Sequence, residues 1–89
     1  MPERTTHVET LRAGKPVSVG ATTLLPIERV VLHSDRGNAR VWFSAAKEPY
    51  AVVVRDAGGI RAVDTGALEV SLDELRERIP GFDALLMSM

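Results

Sequence analysis

Residues 50–55 read Tyr-Ala-Val-Val-Val-Arg, and this short run constrains the fold more than any other part of the chain. In a strand, Val52 and Val54 point one way while Ala51 and Val53 point the other. A strand that is apolar on both faces needs cover on both, from a central place in a sheet, a helix or a partner subunit. Asp56-Ala57-Gly58-Gly59 follows, and its glycines can supply the positive φ values of a tight hairpin turn. Ile60 to Asp64 then reads as the returning strand.

Upstream the grammar is also that of strands. Gly14-Lys15-Pro16 is a turn signal, Val17 and Val19 alternate with Ser18, and Gly20 punctuates. Thr22 to Leu25 is a short β-prone run closed by Pro26, which suits a strand edge or bend because proline offers no N–H. Ile27 to Ser34 is a stronger strand. The turn residues Ser34 to Asn38 separate it from a strand over Ala39–Ala45, and residues 45–49 are expected to connect onward to Tyr50. Thr65-Gly66 is a further turn before a short last strand over Ala67–Val70.

At Ser71 the pattern changes. Ser71-Leu72-Asp73-Glu74 is a capping box, with Asp73 and Glu74 at the end where the helix dipole favours negative charge. Arg76 and Arg78 sit towards the other end, and Leu72, Leu75 and Ile79 form one apolar stripe. Pro80-Gly81 ends this helix, and Phe82, Leu85 and Leu86 are expected to add one turn that packs back on the sheet. The expected fold is therefore α+β: a small antiparallel sheet of five or six strands with one C-terminal helix at about 72–79. Residues 1–13 are expected to be a weakly ordered segment, either an edge strand or a short helix at its end, and 14–89 the single domain.

The chain has 89 residues, enough for one domain, and its 45% hydrophobic and 26% charged residues are ordinary for a folded one. With only Trp42, Phe43, Tyr50 and Phe82 aromatic, the core has to be built from Val, Leu, Ile and Ala. The absence of cysteine removes disulfides, thiolate metal sites and cysteine nucleophiles, and leans towards the cytoplasm. No leader-like segment stands at the N-terminus, and the longest apolar run, Tyr50 to Val54, is far too short for a membrane span.

The stretch Gly14 to Asp64 resembles the GerW (sporulation protein YtfJ-like) family of small bacterial and archaeal proteins. The resemblance is carried by Gly14-Lys15-Pro16-Val17-Ser18-Val19-Gly20, by Thr22 to Val30 with its Pro26, and by Glu48 to Val54 followed by Gly58-Gly59-Ile60. It covers about half of the chain. The family's glycine-rich stretch is replaced here by residues 33–47, and the helix at Ser71 lies outside the pattern. The resemblance implies a β-rich, oligomerising domain and transfers no catalytic residue.

Candidate sites are few. Ser34 adjoins His33 and Asp35, but neighbours on a strand point to opposite faces and cannot converge as a triad. The chain has neither a nucleophile elbow nor a phosphate loop, and nothing in it calls for a cofactor. His7 with Glu9, and His33 with Asp35, each put an imidazole and a carboxylate two residues apart, and on adjacent strands the four could hold a divalent metal. Arg40 and Trp42 share a strand face, and with Arg36, Arg55 and Arg61 could stack on and neutralise single-stranded nucleic acid. Against that stand one aromatic on the face and a net charge of −1. Charge is uneven: residues 29–61 hold six basic and three acidic side chains, residues 62–89 two basic and six acidic. The reading preferred is association, because one helix cannot cover both faces of a sheet that carries Val52 and Val54. A homodimer, or a protein partner, would then meet Trp42, Val52 and Val54.

Overall fold

The computed structural model describes residues 4–37 and 40–89, with side chains described for residues 8–34 and 44–89. Six strands come first: β1 (Arg4–Ala13), β2 (Val17–Val19), β3 (Thr22–Gly37), β4 (Arg40–Asp56), β5 (Gly59–Asp64) and β6 (Glu69–Val70). Two helices close the chain, α1 (Leu72–Arg78) and α2 (Phe82–Ser88). All pairings are antiparallel, in the order β1-β3-β4-β5-β6, and β2 lies beside β3 on the same side as β1.

β3 and β4 are much longer than the sequence suggests. The connection expected at residues 45–49 is instead part of β4, and Pro26 lies inside β3 rather than at its end. Both prolines are accommodated by local geometry. The Gly14 N–H donates to the Pro26 carbonyl at 2.8 Å. The missing N–H of Pro26 faces the same side, into the gap where β1 has ended and β2 has not begun. At Pro49 the register slips: Ile27 pairs with Ala51 but Glu28 pairs with Pro49, leaving Tyr50 as the extra residue of a β-bulge. The bulge resets the alternation, so that Ala51 and Val53 share a face with Glu48, Ala46 and Ser44.

From Arg4 to Ala13 the N-terminal segment takes the edge-strand option, with Arg4 opposite Arg36 and Ala13 opposite Ile27. Its β-branched residues Val8 and Thr10 fit a pleated surface although the segment lacks an apolar stripe.

The core occupies one end of one face. Leu11, Leu25, Ile27, Ala51, Val53 and Ala62 project from the sheet against Leu75, Ile79 and Phe82 of the helical segment. The cap reads as expected: the Glu74 N–H donates to Ser71 Oγ at 3.4 Å. The last segment forms a full helix, α2, where one turn was expected, entered through Gly81 at φ 76°. Tyr50 packs against the core, and the Arg78 guanidinium lies 5.6 Å from its ring centroid.

Beyond this end, β1, β3 and β4 continue as a three-stranded arm with no helix against it. Among the described residues of that arm (8–10, 28–34 and 44–49) none is buried. The molecule is accordingly long, 58 × 26 × 22 Å, with a radius of gyration of 16.7 Å. A compact chain of this length would give about 12 Å.

Among the described residues one non-glycine backbone position is strained. Ala67 has φ 62°, a left-handed conformation that costs a residue with a Cβ roughly 1–2 kcal/mol. Ala67→Gly is expected to stabilise the fold by about 0.5–1 kcal/mol, or roughly 2–8 °C in Tm by thermal circular dichroism.

Candidate interaction surface

Side-chain alternation divides the sheet into a helix-covered face and a bare one. Val52, at one position of the bare face, pairs with Pro26 and Val63; Val54 pairs with Leu24, which in turn pairs with Val17. Further along β3, Val30 and Leu32 fall on the same face, and Leu32 stands opposite Val8 and Ala45. The exposures identify this as an unpartnered surface: Val8 is 46% exposed, Val17 51%, Val19 63% and Leu32 37%. Leu24, Pro26, Val30, Val52, Val54 and Val63 are half-buried beside them. These residues form two aliphatic clusters on one face, one on the arm and one on the body, that the chain itself leaves uncovered.

Two ion pairs on the bare face are closed within the chain, while Lys47, opposite Val30, and Glu69, opposite Val63, stand exposed at its edges. Arg12 and Glu28, cross-strand partners, meet at 3.2 Å between the apolar cluster of the arm and that of the body. Arg61 grips Asp56 through two hydrogen bonds, at 3.1 and 3.0 Å. Asp56 also accepts from the Gly58 N–H at 2.8 Å. The bonds from Arg61 and then Gly58 hold its carboxyl below the ordinary value of 3.8, and Arg61 is raised in return. Asp64 plays the matching role in the next turn, accepting from the N–H groups of Gly66 at 2.8 Å and Leu68 at 3.0 Å. The two acids thus shape turns at opposite ends of β5.

The other face of the arm, in line with the helix-covered face of the body, carries an ionic cluster instead. Arg29 bridges three strands there, bonded to Glu48 of β4 and lying 3.3 Å from Glu9 of β1, and both carboxylates raise its pKa, Glu48 the more. On the helices, Arg76 joins Asp83 at 2.7 Å and also pairs with Asp73. An open groove of about 580 Å³ runs between β5, β6 and α1, past Ile60, Glu69, Leu72 and Arg76. Its acids and bases already pair or stand in solvent, and it gathers no catalytic set.

The residues singled out from sequence divide clearly. Val52 and Val54 are on the bare face as expected. Arg55 and Arg61 are at alternate positions, since Arg55 pairs with Ile60 and Arg61 with Val54, so they lie on opposite faces. Arg55 donates to the Met89 carbonyl at 2.6 Å, away from the bare face. Trp42, Arg36, Arg40, His7 and Asp35 have side chains outside the described residues. Their backbone places Trp42 opposite Asp35, Arg36 opposite Val41, Arg40 opposite Gly37 and His7 opposite His33. Val8, Val17, Val19, Leu24, Leu32 and Val63 were missed. A tight hairpin about Gly20 would have put Val17, Val19 and Leu24 on one face, and that was the available signal.

Among the described residues no helix is long and apolar enough to cross a membrane. No protein-family model, curated protein or solved structure matches the chain at a significant level.

The Asp56 pair gives a direct check. Because folding lowers this pKa, its stabilising effect is complete above 3.8 and is lost as pH falls through the lower folded value. A carbon-detected NMR titration is expected to place the Asp56 midpoint below 3.8, and Arg61→Gln to move it upward; an unchanged midpoint would contradict the assigned cause.

Proposed function

We propose that this chain is a non-enzymatic binding and assembly module whose working surface is the bare face of its sheet. The observation that carries this reading is the pair of aliphatic clusters, with Leu32 and Val8 on the arm and Val17 and Val19 on the body, left uncovered while both helices pack on the opposite face. Apolar surface of this kind gains most by leaving water against another protein surface. The chemistry of these clusters favours an apolar protein partner over nucleic acid, since Arg12 and Arg61 are already engaged by carboxylates. A cysteine-free chain suits a reducing compartment such as the cytoplasm.

The double variant Val17→Lys/Val19→Lys tests the reading. Both side chains are more than half exposed, so the fold should survive, with a Tm within a few degrees of the wild type. The wild-type face is expected either to bind the dye ANS or to be buried in a complex, and the double variant to do neither. A wild-type monomer that leaves ANS fluorescence unchanged would overturn the reading.

A second reading has one observation in its favour. The β1–β3 register sets His7 opposite His33, with Glu9 and Asp35 each two residues further along its own strand. Directly opposed residues have Cβ atoms about 4.5–5.5 Å apart, a spacing within reach of a shared zinc or similar cation. Glu9 is also held by Arg29, which any metal would have to displace. Calorimetric titration with zinc is expected to show one site per chain that His33→Ala removes. Absence of binding at 100 μM metal, on the order of the weakest useful affinity, removes the reading.

A further inference from the structure

The bare face is fitted to a second copy of itself. We propose that two chains pack bare face to bare face, closing a β-sandwich whose outer layers are the two helical segments. This inference rests on the assembly reading above and names its partner.

Size is the first argument. Thr22–Ser34 of β3, at about 3.3 Å per residue, runs roughly 43 Å, and three to four strands at about 4.8 Å make the face about 17 Å wide. The resulting area of roughly 700 Å² is close to the ~800 Å² that each partner contributes to a standard stable interface.

Charge is the second. A face buried against its own copy meets every one of its charges twice, so an unneutralised charge would be repeated across the interface. Here Arg12 is paired with Glu28 at 3.2 Å and Arg61 with Asp56 at 3.0 Å within each chain. Lys47, opposite Val30, stands on the free edge of β4 beyond the end of β5, and Glu69, opposite Val63, on the edge strand β6, so each charge can reach solvent at the rim of the face. The chain's net charge of −1 adds almost no repulsion between copies.

The arm is the third. A three-stranded ribbon with no buried side chain among its described residues is poorly supported by itself. The arm nonetheless carries Val8, Val30, Leu32 and Ala45 in line with the apolar residues of the body. A second sheet laid on this face would give the arm the core that its own chain does not provide. Sheets packed at about 10 Å would let these aliphatic side chains interdigitate.

Light scattering after gel filtration tests the arrangement with four proteins: wild type, Val17→Lys, Leu32→Lys and Ala46→Lys. Ala46 lies on the other face of the arm, opposite Val31, and serves as the control. Circular dichroism first establishes that each is folded. At about 200 μM, wild type and Ala46→Lys are expected at twice 9.7 kDa, and both bare-face variants at 9.7 kDa. A wild-type dimer that survives both bare-face substitutions overturns the proposal, because edge-to-edge or helix-mediated pairing would behave so. A wild-type monomer also overturns it; if that monomer binds ANS, the assembly reading stands with a different partner, and if not, both fall.

Discussion

Everything else in this structure depends on the alternation of side chains along β4 and on the single place where it is reset. Ala51 and Val53 reach the helices, and Val52 and Val54 reach the opposite surface, because a strand period of two allows nothing else. The bulge at Tyr50 then adds one residue between this stretch and the arm. Without it, Glu48 would sit beneath the bare face, and Arg29 could not bridge Glu48 and Glu9 across three strands. Tyr50 itself is turned towards the core and Arg78, so the irregularity that divides arm from body also anchors the end of α1.

This arrangement explains why one helical segment suffices for one end and for no more. Leu75, Ile79 and Phe82 cover a patch of sheet only as long as Leu25–Ile27 and Ala51–Val53. α1 and α2 are seven residues each, roughly 10 Å long. Neither could extend over an arm formed by strands of sixteen and seventeen residues. The polar residues of the arm follow the same logic. Its helix-side face carries the Arg29 ion-pair cluster, whereas its other face stays aliphatic at Val8, Val30 and Leu32.

Local signals in the sequence were legible where a short-range interaction decides the outcome. Ser71 capping Glu74, the glycine turn before Ile60 and the two apolar faces of 50–54 are each contained within a few residues. The α+β class and the antiparallel sheet followed from them. The continuity of β3 and β4 was not legible, because Pro26 and Pro49 normally end strands. Whether they do here depends on what lies beside them: a gap between β1 and β2 in one case, a bulge opposite Ile27 and Glu28 in the other. β1 was under-read for a related reason. Its ten residues carry little apolar periodicity and are held by backbone pairing to β3. The bare face was legible at Val52 and Val54 alone, since most of its remaining members come from four other strands and become neighbours only once register is fixed.

Register also decides how the charges should be understood. Exposed ion pairs such as Arg12–Glu28 contribute little to the stability of a single chain. Their position carries more meaning than their strength. Arg12–Glu28 stands between two aliphatic clusters and Arg61–Asp56 closes one end of them, so the charges set among the aliphatic residues cancel in pairs within the chain. A sheet surface meant for solvent would more simply carry lysine and glutamate at the positions held by Val17, Val19, Val52 and Val54. Keeping those positions aliphatic, and neutralising the charges between them inside the chain, removes both the electrostatic handle for a charged ligand and the solvation that would keep the face exposed. The arm without a core and the face without a cover are therefore one structural problem, and a single apolar layer across β1, β3 and β4 would resolve both.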